Sequence, residues 1–177
     1  MNFLVAQIIG VIVTLYAIIS TQFKSVHALL IANIITNVLS ALNYILLGGA
    51  SGTWVCVVAA VQAILMDRLN AADENQTRRK NVYAGIFVLI YIVGSLYCFQ
   101  SWLDILPCLC ALIYTLCVYQ KNVVRYKGLA ILNSAVWAIY DLVTGAYTMI
   151  ITRVLLILMS IFSIYKIKRK ETRTKGA

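Results

Sequence analysis

The sequence predicts an all-α integral membrane protein with seven transmembrane helices. Of its 177 residues, 62% are hydrophobic and 12% are charged, and the mean hydropathy is +0.88. A soluble domain has roughly 45 to 50% apolar and about 25% charged residues. A soluble chain of this size could not bury so much apolar surface, so the lipid bilayer is the expected solvent and partner.

Seven apolar segments are close to the length that crosses a membrane, which is about 20 helical residues. Two apolar stretches, 27–67 and 126–166, are twice that length and must each fold back once to keep their backbone hydrogen-bonded in lipid. Residues that permit a tight reversal interrupt both stretches: Gly48, Gly49, Ser51 and Gly52 in the first, Thr144 and Gly145 in the second. The predicted segments are 3–20, 27–47, 53–68, 82–99, 102–120, 127–146 and 148–167.

The basic residues predict the orientation of these segments. Most of them fall in alternate loops, one of which is assigned Lys121, Arg125 and Lys127, or in the tail, and only Arg153 falls toward the opposite side. The positive-inside rule then places the amino terminus outside and the carboxyl terminus in the cytoplasm. This placement also argues against nucleic-acid binding, although the formal net charge is +9.

An internal repeat is predicted at a shift of about 98 residues. At that spacing Tyr16 aligns with Tyr114 and Gln22 aligns with Gln120. Three helices per repeat and one helix between them give two parallel three-helix bundles in a 3+1+3 arrangement. The predicted units are a first repeat at 1–68, a cytoplasmic linker at 69–81, a linker helix at 82–100, a second repeat at 101–167 and a basic cytoplasmic tail at 168–177.

Polar residues follow helical spacing on the second and sixth segments. Because unsatisfied polar groups are costly in hydrocarbon, these faces should point toward protein or water. Two such faces predict a central solute site, and hydrogen bonding between packed helices is the alternative. The candidate solute-binding residues are Asn33, Asn37, Ser40 and Tyr44 on the second segment, and Asn133, Trp137 and Tyr140 on the sixth.

Three further residues have predicted roles. A short turn separates Asp141 from Arg153, which predicts a buried ion pair or a gate. Pro107 removes a backbone hydrogen bond within the fifth segment, where it would act as a hinge or as a static kink. The five cysteines lie in apolar segments without the spacing of a metal site, so we expect no metal and no cofactor.

Three stretches carry a resemblance to a known family: AQIIGVI at 6–12, DILPCLCALIYT at 104–115 and VWAIYDLVTGAY at 136–147. They resemble the YgjV-like family of small bacterial inner-membrane proteins over about residues 5–168. That family looks related to the MtN3, PQ-loop and SWEET group, which implies a SWEET-like fold and an inner-membrane location. Pro107 is followed by Cys108, so the proline-glutamine signature of that group is absent.

Two functions follow from these expectations. The first is a transporter that binds a small polar or uncharged solute between the repeats and releases it by alternating access. The alternative is a non-transporting receptor or interaction protein of the same fold. An enzyme is not expected, because the sequence has neither a histidine cluster nor a recognisable nucleophile motif.

Overall fold

A computed structural model describes residues 2–71 and 77–175, and within these residues the protein is all-helical, as predicted. Seven α-helices and one short 3-10 helix are present there, without strands. The helices are α1 (Asn2–Ser20), α2 (Val26–Leu47), α3 (Ala50–Ala71), α4 (Thr77–Tyr97), α5 (Ile105–Val118), α6 (Val123–Thr144) and α7 (Tyr147–Lys175), and the 3-10 helix is Trp102–Asp104.

Five helices in the described ranges are long and apolar enough to cross a membrane, namely α1, α2, α3, α4 and α7. The apolar helix that includes α5 is shorter, at Trp102–Val118. Helix α6 has 22 residues but carries Arg125, Lys127 and Asp141. The multi-pass prediction is therefore confirmed for five of the seven predicted spans.

Glycines end the second and sixth helices in the same way. Helices α2 and α6 each have 22 residues. Gly48 and Gly145 follow them with φ of 76° and 74°, in the left-handed region that favours glycine. Both predicted reversals are confirmed. Ser51 and Gly52, however, belong to the first turn of α3, where the amide groups need no partner within the helix.

Consecutive helices run antiparallel, so the chain has two distinct ends. We call the end that carries Gly48 and Gly145 the glycine end, and the end that carries Lys24, Lys121 and Arg125 the basic end. Helices α1, α2, α3, α5, α6 and α7 form a closed ring in that order, because α3 packs on α5 and α7 packs on α1. Helix α4 packs outside the ring against α3 and α5.

Several predicted boundaries differ from the structure. Helix α3 extends to Ala71 and α4 begins at Thr77, so the connection is shorter than the predicted linker at 69–81. Residues 72–76 of that linker lie outside the described residues, as do residues 176–177 of the predicted tail. Helix α7 continues to Lys175 and includes the rest of the tail.

Pro107 does not lie in the middle of a helix. Helix α5 begins at Ile105, which places Pro107 in its first turn. A proline is tolerated there because the first amide groups of a helix have no partner within it. The 3-10 helix Trp102–Asp104 leads directly into α5, and the hinge or static kink at Pro107 stays a prediction.

Candidate functional site

A cavity of about 120 Å³ lies inside the ring, and all six helices of the ring contribute to its wall. It extends from the layer of Trp137 toward the basic end, where Thr21 and Lys127 line it. The predicted polar faces of α2 and α6 both reach this cavity. Five of the seven predicted solute-binding residues line it: Asn33, Asn37 and Ser40 from α2, and Asn133 and Trp137 from α6.

Asn33 forms a bridge between α2 and α6. Its Nδ2 donates to the hydroxyl of Tyr126 and to the carbonyl oxygen of Leu29, at 2.9 Å for the latter. The amide nitrogen is therefore committed to protein partners. Although Asn33 lines the cavity, its contacts match the helix-to-helix hydrogen bonding that the sequence left as the alternative.

Three other polar groups around the cavity are unsatisfied. Asn37 Nδ2, Asn133 Oδ1 and the hydroxyl of Tyr114 are buried atoms that make no hydrogen bond of full geometry among the described residues, although Asn37 and Tyr114 lie close enough to interact with each other. All three residues line the cavity. Each buried and unpaired group costs roughly 1 to 3 kcal/mol. Such groups are expected where water or another molecule supplies the missing partner.

Three aromatic residues close the cavity toward the glycine end, and we call Tyr44, Trp137 and Tyr140 the aromatic plug. The rings of Tyr44 and Trp137 stack with centroids 5.5 Å apart and planes 15° apart. Tyr140 meets both rings edge-on, with centroids 5.7 Å from each. Tyr44 and Tyr140 are fully or almost fully buried and do not line the cavity.

An ion pair between Asp141 and Arg153 contacts two residues of the aromatic plug. Asp141 is 0% exposed, and its Oδ2 accepts a hydrogen bond of 3.1 Å from Arg153 Nε. The hydroxyl of Tyr44 donates to Asp141 Oδ1. The Arg153 guanidinium also lies over the Trp137 ring, 5.3 Å from its centroid, in a cation–π contact. The pair thus holds two of the three plug residues in place.

Tyr140 connects the aromatic plug to α3 by hydrogen bonds. Its hydroxyl oxygen accepts a hydrogen bond of 3.2 Å from the amide of Gly52, and it lies 2.9 Å from Ser51 Oγ. Ser51 donates to Asp104 Oδ1, just before α5. A side chain at position 52 would contact the Tyr140 ring, because an added Cβ would lie 2.8 Å from its Cε1. This glycine therefore permits the close approach of α3 to α6.

Lys127 lines the opposite part of the cavity, and sequence reasoning assigned it only to a basic loop. It is 3% exposed. Its Nζ donates to the carbonyl oxygen of Thr21 at 3.0 Å and to Ser163 Oγ at 2.5 Å. One signal was available in the sequence, because Lys127, Ser134 and Trp137 fall on one face of a helix.

Hydrogen bonds that the sequence did not predict join the first three helices of the ring, α1–α3, to the last three, α5–α7. On one side, Gln62 Nε2 donates to Thr115 Oγ1 at 3.1 Å, and Tyr91 of α4 donates to Gln62 Oε1 at 2.8 Å. On the other side, Thr14 and Thr152 hydroxyls lie 2.5 Å apart. Isolated polar residues on apolar helices were the only available signal, since their partners are distant in sequence.

The five cysteines are free thiols. Cys56, Cys110 and Cys117 line the cavity, whereas Cys98 and Cys108 do not. The thiol of Cys117 lies 3.3 Å from the carbonyl oxygen of Tyr126, next to Lys127. These positions offer natural reporters of access to the cavity.

The helices long enough to cross a membrane are consistent with the one family model that this chain matches. No curated protein and no solved structure matches the chain. One family model matches residues 4–171, which is nearly the whole chain. On that match, the protein belongs to the Imp-YgjV family, described as bacterial inner membrane proteins.

Proposed function

We propose that this protein is a carrier that moves a small polar solute across the bacterial inner membrane through the six-helix ring. The cavity carries the proposal, because Asn37, Asn133 and Tyr114 present unpaired polar atoms to it. Polar groups inside a membrane protein are costly unless they are paired or functional. A bound solute would supply the partners that the protein lacks.

The topology proposed for this carrier has seven spans, with α5 and α6 included. The charges of α6 do not argue against a span, because Lys127 and Asp141 are bonded inside the ring and not exposed to lipid. The basic end faces the cytoplasm, since it collects most of the basic residues. The amino terminus of α1 is then outside and the carboxyl end of α7 is cytoplasmic.

Alternating access would use the two halves of the ring, α1–α3 and α5–α7, with α4 as the linker helix outside it. The halves meet where α1 packs on α7 and where α3 packs on α5. In this arrangement the cavity belongs to a state that is closed toward the outside by the aromatic plug. The outer gate would open when Tyr44 separates from Trp137 and when Asp141 and Arg153 change their partners.

The proposed roles of the lining residues follow their contacts. Asn37 and Asn133 would hydrogen-bond the solute, and the Trp137 indole would form the apolar wall next to it. Ser40 lines the same cavity. Asn33 would hold α2 against α6 through Tyr126. No catalytic step is proposed, and the protein would bind and release its solute unchanged.

Flux through proteoliposomes tests this proposal. Stopped-flow swelling is measured for a panel of polar solutes with up to about six non-hydrogen atoms, since a cavity of about 150 Å³ holds benzene. We expect flux with the unaltered protein and a loss of at least about tenfold in Asn37→Ala and Asn133→Ala, each of which removes one hydrogen bond to the solute.

Ser95→Ala is the matched control, because Ser95 Oγ is also buried and unpartnered but lies on α4, away from the cavity. Flux that survives unchanged in both asparagine variants contradicts the proposed site. Absence of flux, combined with a co-purifying partner that is lost after truncation behind Lys166, favours the receptor function.

A further inference from the structure

Lys127 is a buried cation without a counter-ion. Among the described residues, no carboxylate lies within ion-pairing distance of its ammonium group. The acceptors present are one backbone carbonyl oxygen and one serine hydroxyl, which leave the third N–H of the ammonium without a protein acceptor. A buried charge of this kind is costly unless it is paired.

The other cation that lines the cavity is balanced. Arg153 is paired with Asp141, and the same carboxylate accepts a hydrogen bond from Tyr44. The side chains that line the cavity together with this pair therefore carry one unbalanced positive charge, and it belongs to Lys127. The uncompensated charge, the unpaired amide groups and the Tyr114 hydroxyl share one small space.

We propose that the solute is a small organic carboxylate whose anionic group binds Lys127. Asn37, Asn133 and Tyr114 line the deeper part of the same cavity, toward which the rest of the solute would point. This inference rests on the proposed carrier function and narrows its solute class. A cavity of about 120 Å³ admits a solute of about five or six non-hydrogen atoms. An ammonium–carboxylate hydrogen bond is stronger than a neutral one, so charge would select the solute.

The test compares carboxylates with amides of the same shape. Purified full-length protein is reconstituted in phosphatidylcholine vesicles, and binding of acetate, glycolate and lactate is measured beside acetamide, glycolamide and lactamide. We expect at least one carboxylate to bind about tenfold or more tightly than its amide, which is what one charged hydrogen bond supplies. Lys127→Met should abolish that preference, whereas Lys127→Arg should keep most of it.

Lys80→Met is the matched control. Lys80, in the first turn of α4, is also a buried lysine, at 7% exposed. It donates to Asn70 Oδ1 near the end of α3 and does not line the cavity. The carboxylate preference should survive this change. Should Lys127→Met fail to fold, Asn133→Asp decides instead, because it adds a negative charge to the cavity at constant size and should abolish carboxylate binding.

The possible results separate the two proposals. Equal binding of carboxylates and amides, or a preference that persists in Lys127→Met, overturns the carboxylate assignment and leaves the carrier standing. Absence of binding and of flux for both classes overturns the carrier, and the carboxylate assignment with it. Phosphatidylglycerol supplies the third arm: if adding it abolishes carboxylate binding, the anion site belongs to a lipid headgroup and the solute assignment is wrong.

Discussion

Inside the ring, the half toward the glycine end and the half toward the basic end treat polar side chains in opposite ways. Toward the glycine end, Tyr44, Asp141 and Arg153 are bonded to one another and packed against Trp137, and Trp137 and Arg153 form the end wall of the cavity. Toward the basic end, Asn37 and Asn133 have atoms without a full hydrogen bond beside an open volume, and Lys127 has no carboxylate partner among residues 2–71 and 77–175. The closed half, toward the glycine end, contains the paired charges, and the half toward the basic end, which can accept a solute, contains the unpaired groups.

This contrast assigns different costs to similar substitutions. A change in the closed half should leave a charge or a polar group without its protein partner, and stability should fall. A change in the open half should remove a group that has no protein partner, so stability should hold while activity is lost. Natural binding sites commonly show such a trade between stability and function.

The largest expected effect is that of Asp141→Asn. It removes the carboxylate charge and leaves the Arg153 guanidinium buried without a counter-ion, which costs about 3 to 5 kcal/mol. Thermal unfolding in detergent measures the loss. The double variant Asp141→Asn with Arg153→Met should recover most of it, because no lone charge remains. A double variant as unstable as the single one would show that the pair does not support the plug through charge.

A second comparison uses two asparagines of α2. Asn43 is buried, and its Nδ2 donates to the backbone carbonyl oxygen of Ala6 on α1, whereas Asn37 Nδ2 makes no full hydrogen bond within the described part of the chain. Asn43→Leu should destabilise the protein by about 0.5 to 1.5 kcal/mol, since it removes one buried hydrogen bond between α2 and α1. Asn37→Leu should leave stability unchanged or raise it, and should abolish flux.

The same unfolding assay, run beside proteoliposome flux, checks this pair. Equal loss of stability in Asn37→Leu and Asn43→Leu would mean that Asn37 serves packing, and the distinction between the two halves would fail on α2.

The smallest effect is expected at the surface of the basic end. His27 Nδ1 and Asp67 Oδ1 lie 2.6 Å apart between α2 and α3, and the His27 side chain is 66% exposed. Exposed ion pairs contribute about 0 to 1 kcal/mol. Asp67→Asn should therefore change the unfolding temperature only slightly. A loss as large as that of Asp141→Asn would show that burial does not set the cost of breaking these pairs.

Much of the fold was predictable because lipid enforces simple rules. Apolar length gave five spans, and glycine marked the reversals at Gly48 and Gly145. Helix ends were less accurate, because α3 and α4 both continue past their apolar residues into the linker. Pro107 does lie inside α5, as predicted, but an apolar run does not show that it falls in the first turn.

The sequence predicted which helix faces point inward, but not which of their residues line the cavity. Helical spacing placed Asn33, Asn37 and Tyr44 on one face, yet only the first two line the cavity. Periodicity gives the angle around a helix and carries no information about what fills the space beside it. Lys127 was assigned to a loop because a basic residue near a helix end is usually a topology signal.

The central claim is that the cavity is reached from the basic end and closed at the glycine end, and cysteine labelling tests it most directly. A variant that keeps only Cys117 is treated with Ag⁺, a thiol-reactive ion that is small enough to enter the cavity, in vesicles of each orientation. Cys98, which follows α4 at the glycine end, serves alone as the control for the opposite face. We predict that Cys117 reacts faster from the basic side; failure to react from either side, or faster reaction from the glycine side, would contradict the account.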